Sequence, residues 1–280
     1  MGQIQEFLNS IDKTSADTSK EAIELALSDA GIELAYQPIF DVDSETPVRI
    51  EALVRYISAP EISSQKLIDA IVTHDLATQY HDWLIDKSFK RLAQWKEEYP
   101  DLVLHINVPF NSIGSQSLLD CLFYYLDHYT LSAQDICIEI TEKYKPIDAT
   151  KAMDELHLMR EKGFTVALDD FGQGYANLYH LSQLPINMLK IDKEFVLNFD
   201  ECKKCVAIVN SVISLAHELD IDLVVEGAEN QDIIAFLKAS NVSYVQGFIW
   251  GAPVIVRDEQ EISFAHYLRQ SEEAGKKLCL

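Results

Sequence analysis

ELAYQPIFDVDSETPVRIEALVRY, residues 33–56, contains two strand-like apolar runs, 33–40 and 48–56, joined by only seven residues, Asp41 to Pro47. A parallel pair needs a crossover of a dozen or more residues, so these two runs are expected to pair as an antiparallel hairpin. The rest of the chain follows a different rule. LVLHINV (102–108), DICIEIT (135–141), FTVALDD (164–170), INMLKID (186–192), IDLVVEG (221–227) and SYVQGFI (243–249) alternate with helical patterns over Leu67–Lys96, Ser115–His128, Lys151–Lys162, Leu178–Gln183, Glu201–Leu219 and Gln231–Ser240. Alternation of this kind describes a parallel sheet wrapped by helices. Eight runs over this length predict an α/β fold, a closed TIM-type (β/α)8 barrel with an antiparallel first strand, more than an open sheet.

Upstream of the hairpin, Thr18 and Glu21 read as a capping box for a helix that stops at Gly31. The organisation expected is a polar N-terminal leader over 1–17, the barrel over 18–258 and a C-terminal helical tail over 259–280.

The 280 residues carry a formal net charge of -22 and are 48% hydrophobic, enough for one large core. No cluster of basic residues offsets that charge, which argues against binding a DNA or RNA duplex or an anionic membrane surface. The most apolar stretch, 206–216, is too short and too polar to span a bilayer, and the N-terminal residues lack an export pattern. Membrane insertion is not expected, and the cytoplasm is the expected location. Five scattered cysteines fit a reducing compartment. Cys202-Lys203-Lys204-Cys205 lacks the two further ligands of a zinc site and the fold context of a redox motif, so no function is assigned to it.

Chemistry concentrates where the parallel runs end, at Asn107, Glu139, Asp169, Lys190 and Glu226, with Glu51 on the second run of the hairpin. TIM barrels place their chemistry at that rim. Buried carboxylates are costly without a cation, and oxygen donors without Cys or His suit magnesium or manganese better than zinc. Asp169 and Asp170 can serve one centre only if the strand turns there, and Gly172 and Gly174 supply a turn. One arrangement has Asp169 bridging two divalent ions, with Glu51, Asn107 and Glu139 at one and Asp170 and Glu226 at the other. Such a pair can activate water and clamp a phosphoryl group. Lys190 would orient that water or offset transition-state charge, Glu229 and Gln246 would fix neighbouring groups, and Glu142 would hold the DDFGQGY loop. The dispersed histidines are read as structural or surface residues. Glycine-rich nucleotide loops and GxSxG are absent.

YQPI (36–39), EALVR (51–55), Asn107, EITE (139–142), DDFGQGY (169–175), LKID (189–192), EGAE (226–229) and QG (246–247) occur in the order found in EAL-domain cyclic di-GMP phosphodiesterases, which the chain resembles from about Ala26 to Pro253. The resemblance implies a metal-dependent hydrolase that converts cyclic di-GMP to linear pGpG with two Mg2+ or Mn2+ ions. It also implies metal ligation by Glu51, Asn107, Glu139, Asp169, Asp170 and Glu226, a catalytic shell containing Lys190, Glu229 and Gln246, and dinucleotide contacts from Gln37, Leu53 and Arg55. A homodimer and a regulatory protein partner belong to the same reading. GYAN at 174–177, Val225 and NVPF at 107–110 depart from the usual family strings without removing a ligand. The alternatives are a non-enzymatic cyclic di-GMP receptor acting through protein partners and a barrel hydrolase for another phosphodiester.

Overall fold

β1 (Ile32–Asp41) and β2 (Pro47–Tyr56) form the expected hairpin, with Gln37 opposite Glu51 and Ala35 opposite Leu53. Its turn is tied locally: the Asp41 carboxylate accepts the Ser44 N–H at 2.8 Å and the Ser44 hydroxyl at 2.7 Å, and Glu45 adopts a left-handed φ of 53°. The computed structural model describes residues 18–29, 31–141, 146–172, 178–197, 202–257, 260 and 262–278. The leader over 1–17 and Glu142 lie outside them.

From β2 the sheet runs parallel through β3 (Val103–Pro109), β4 (Ile136–Thr141), β5 (Thr165–Phe171), β6 (Met188–Ile191), β7 (Asp222–Glu226) and β8 (Tyr244–Gln246). β8 then meets β1, where Phe40 lies opposite Val245, and closes an eight-stranded barrel. β1 is antiparallel to both neighbours, and the short β9 (Val254–Ile255) adds to it at Ala35 and Tyr36.

The helices cover the outside. α1 (Lys20–Ser28) is capped by Ser19, whose hydroxyl accepts the Ala22 N–H at 3.3 Å; the expected cap at Thr18 is displaced by one residue, and the Thr18 carbonyl bonds His74 Nε2 instead. The single helix expected over 67–96 is two, α2 (Ser64–Thr73) and α3 (Ala77–Lys96). Asp75 at φ 57° turns the chain between them, and the Leu76 N–H returns to the Ile71 carbonyl at 2.9 Å. Leu76 is fully buried, so the apolar pattern runs through the break and conceals it. α4 (Gln116–His128), α5 (Ala149–Lys162), α6 (Leu178–Gln183), α7 (Lys203–Glu218) and α8 (Gln231–Ala239) fill the remaining crossovers.

α9 (Phe264–Leu278) lies within the stretch read as a tail, and it packs on the barrel wall. The Tyr267 hydroxyl donates to the Tyr36 carbonyl at 2.7 Å, and Trp95 of α3 packs edge-on to Tyr36 and tilted against Phe264 and Tyr267 at 4.9–5.2 Å between ring centres. No helix among the described residues is long and apolar enough to cross a membrane.

Alternation along the strands divides the barrel interior into layers. Ile39, Cys137, Ala167, Met188 and Val224, with Val103 and Tyr244, form a small apolar cluster of their own. Two residues further along the parallel strands stand His105, Glu139, Asp169, Lys190, Glu226 and Gln246. The same spacing that fills the barrel therefore stacks a polar layer on an apolar one.

Candidate active site

Lys190 is 1% exposed and stands at the centre of that polar layer. Its Nζ lies 2.8 Å from Glu226, 3.0 Å from Glu139, 3.2 Å from Asp169 and 3.4 Å from Glu51. Burial would drive off its proton, but the four carboxylates outweigh this and hold it well above the ordinary lysine range.

Glu51 is the most fully satisfied carboxylate. Asn107 Nδ2 donates to Oε1 at 2.7 Å and Gln246 Nε2 to Oε2 at 2.9 Å. Burial raises its affinity for a proton, yet Lys190 and these two donors bring it below the usual carboxylate range. The others are pushed up by burial. Glu139 lies well above its ordinary value through burial and the Glu51 charge, Asp169 is raised against the pull of Lys190, and Glu226 is pushed up to about 8. Asp170 is exposed at the rim at φ 55°, and its carboxyl, beside Asp169, is pushed up to about 6 by partial burial and that neighbouring charge. The left-handed backbone at Asp170 and the register shift between Leu168 and Phe171 turn β5 where the paired aspartates required a turn.

Gly247 lets the ends of β7 and β8 come together, because a Cβ there would run into the Ala228 backbone. The Ala228 N–H reaches the Gln246 carbonyl at 3.2 Å, which seats Gln246 beside Glu226.

A cleft of about 510 Å3 opens over this layer, within the size range of small-molecule sites. Gln37, Leu53, Arg55 and Glu229 line it together with Glu51, Asn107, Asp169, Asp170, Glu226 and Gln246. Gln37 donates to the Gly251 carbonyl at 3.1 Å, and Arg55 is held by the Val54 carbonyl and the Ser64 hydroxyl at 2.9 and 3.1 Å. The fold thus brings together every sequence-derived site residue among the described ones; Glu142 falls outside.

Residues that the sequence reading passed over also belong here. His105, read as a structural or surface residue, is fully buried with Nδ1 2.7 Å from Glu139 Oε1 and Nε2 3.4 Å from Arg49 Nη1. Arg49 in turn donates to the Tyr244 hydroxyl at 3.3 Å and lies over its ring. A guanidinium can only donate and a carboxylate can only accept, so His105 is neutral, with its proton on Nδ1 directed at Glu139. Burial, with Arg49 next, keeps it well below the ordinary histidine value. His105 precedes Asn107 by two residues and Arg49 precedes Glu51 by two, so strand alternation carried the signal. Buried Asp192 also lines the cleft and caps the following 3-10 turn through the Glu194 N–H at 2.7 Å.

The donor set fits divalent cations. Glu51, Glu139, Asp169, Asp170 and Glu226 place five carboxylates near one ammonium, leaving four unbalanced charges when all are ionised, the charge of two divalent ions. Glu139 Oε2 is buried with no hydrogen-bond donor among the described residues. Among those residues no three Asp, Glu, His or Cys side chains form a ready cage, since the Lys190 ammonium holds the centre of the cluster.

The EAL domain family model matches residues 20–253, which covers the barrel and its first helix. The chain belongs to the EAL domain family. Among relatives of this EAL domain, the cyclic di-GMP phosphodiesterase NbdA of Pseudomonas aeruginosa is 27% identical over 84% of the chain and 30% of its own length. The cyclic di-GMP phosphodiesterase PdeB of Shewanella oneidensis is 31% identical over 82% of the chain and 27% of its own length. The chain therefore spans less than a third of these two relatives. Among solved structures, the EAL enzyme Bd1971 in its cAMP- and cyclic-di-GMP-bound form superposes with a TM-score of 0.80 at 27% identity, covering 97% of this chain and 71% of the other. The PaMucR phosphodiesterase in complex with c-di-GMP gives a TM-score of 0.76 at 26% identity over 84% of this chain and 96% of the other.

Proposed function

We propose that this EAL domain hydrolyses one phosphodiester of cyclic di-GMP to give linear pGpG. The observation that carries the reading is the ring of carboxylates around buried Lys190, open to the cleft through Asp169 and Glu226, in a fold whose relatives include named cyclic di-GMP phosphodiesterases. Glu51, Asn107, Glu139, Asp169, Asp170 and Glu226 would hold two Mg2+ or Mn2+ ions. Bound there, the ions would supply activation of a water and neutralisation of the phosphodiester charge.

The remaining work falls to the chain's own residues. Arg55, anchored by Val54 and Ser64, presents a guanidinium whose forked geometry suits a phosphate. Gln37 and Leu53 on facing strands contact the dinucleotide beside it. Lys190 orients the attacking water and offsets negative charge developing at phosphorus. Water adds across the P–O bond: its oxygen joins phosphorus as the bond to the ribose oxygen breaks, and one of its protons passes by way of a carboxylate to the departing ribose oxygen, which leaves the carboxylate as it began. Gln246 and Asn107 fix Glu51, and His105, oriented by Arg49, fixes Glu139. Glu229 supports the same shell from the loop after β7.

Purified chain incubated with cyclic di-GMP and Mg2+ or Mn2+, followed by chromatography, should yield pGpG, and Glu51→Ala and Asp169→Ala should each abolish the product. Intact substrate after prolonged incubation with either ion overturns the proposal. Tight binding without turnover would place the chain among receptors, and faster cleavage of a cyclic mononucleotide or linear dinucleotide would reassign the substrate.

A further inference from the structure

Cys202 and Cys205 are joined as a disulfide, with Cα atoms 5.2 Å apart, inside the first turn of α7. The sequence alone assigned CKKC no function. The bond links nothing that the backbone does not already link: the Val206 N–H bonds the Cys202 carbonyl at 3.1 Å, and the Cys205 N–H bonds the Cys202 sulfur at 3.1 Å. A structural brace joins separate elements, and loop-closure stabilisation shrinks with the loop. The pair is therefore poorly placed for a brace and well placed for exchange.

The local chemistry favours a thiolate at Cys202. It caps a 16-residue helix, where the N-terminal backbone amides favour negative charge, and a backbone N–H already points at its sulfur. Lys203 and Lys204 are exposed next to it. The two described cysteines outside the pair, Cys121 and Cys137, have the opposite surroundings. Cys121 is pushed up to about 12 by burial and by Asp82 and Asp86, and fully buried Cys137 lies well above its ordinary value.

We propose that Cys202 and Cys205 form a reversible dithiol–disulfide site that exchanges with low-molecular-weight disulfides of the glutathione class, with Cys202 as the attacking sulfur. The Cys202 thiolate attacks one sulfur of the small disulfide, forming a mixed disulfide and releasing one small thiolate, which takes up a proton. The Cys205 thiolate then attacks the Cys202 sulfur and expels the second small thiol. Two protein thiols are oxidised by two electrons, and one small disulfide is reduced to two thiols.

The full chain, first reduced, is equilibrated across a series of reduced-to-oxidised glutathione ratios, acid-quenched, alkylated and cleaved after glutamate. Cleavage after Glu201 and Glu218 gives a 202–218 peptide that contains Cys202 and Cys205 and no other cysteine. The wild-type peptide should pass from doubly alkylated to internally disulfide-bonded as the ratio becomes oxidising, and return with excess dithiol reductant. Cys205→Ser should stop at a glutathione adduct on Cys202, formed at least tenfold faster than any adduct on Cys205 in Cys202→Ser. A peptide doubly alkylated at every ratio, or one that stays bonded under excess reductant, overturns the site. Equal adduct rates in the two variants overturn the assignment of Cys202. The wild-type titration needs no variant, and circular dichroism checks that both variants are folded.

Discussion

Replacing Lys190 with methionine removes the ammonium that four carboxylates share within 3.4 Å while keeping the length of the side chain. Breaking a buried charge cluster by deleting one sign costs about 3–5 kcal/mol. With an unfolding entropy near 2.1 cal/mol/K per residue, the 280-residue chain should lose about 5–8 °C in melting temperature in metal-free buffer near pH 8. The loss should depend on pH. Without Lys190 the already raised pKa values of Glu139, Asp169, Asp170 and Glu226 rise further above their unfolded values, so the folded state binds more protons than the unfolded state between the two, and stability falls as pH rises through that window. Since Glu226 is already pushed up to about 8 and Asp170 to about 6, the penalty should shrink by more than half near pH 5.5. Added Mn2+ near pH 8 should raise the melting temperature of Lys190→Met more than that of the wild type, because a cation replaces the missing charge. Differential scanning fluorimetry with chelator or Mn2+, at both pH values, reads all of this. A variant that melts within about 1 °C of wild type without metal near pH 8, or loses equally at both pH values, refutes the account of Lys190 as the counter-charge of the cluster.

His105→Ala should weaken Mn2+ binding about 10- to 100-fold by calorimetry, with His105→Asn recovering part of the loss, because Glu139 loses the donor at 2.7 Å that orients it. His81 is buried, with Nε2 unpartnered among the described residues, and burial lowers its pKa to about 4. The unfolded chain takes up that proton near pH 6.5, so this contribution is complete above 6.5 and is lost as pH falls, up to about 3 kcal/mol; His81→Phe should flatten the denaturation profile between those values. Gly247→Ala should cost at least about 2 kcal/mol in urea unfolding, since the new Cβ meets the Ala228 backbone. Calcium should support cyclic di-GMP binding with turnover well below that in magnesium, because it prefers longer bonds and more ligands; equal rates would oppose the compact oxygen set.

Much of the barrel was legible because strand alternation is a local property. The seven-residue link between 33–40 and 48–56 fixed the antiparallel start, and the later runs ended at the residues that now gather at the cleft or directly around Lys190 beneath it. Helix ends were less legible. Buried Leu76 kept the apolar period intact across the break at Asp75, and Ser19 capped α1 where Thr18 was equally plausible by type. His105 and Arg49 were hidden for another reason: a histidine and an arginine outside any ligand spacing look like surface residues until the register places them inside the barrel.

The sequence by itself determined the order of the elements, the donor chemistry of the site and the family strings that suggest a substrate. Only the tertiary structure decided that Lys190 sits among four carboxylates, that the Arg49–His105 pair supports one of them, and that α9 packs on the wall through Tyr267 and Tyr36. The reason is distance along the chain: Glu51 and Lys190 are separated by 139 residues, and Glu51 and Gln246 by 195. Spacing within one strand tells which face a side chain takes, but closure of the barrel sets which faces meet and which charges must share one small, poorly hydrated volume.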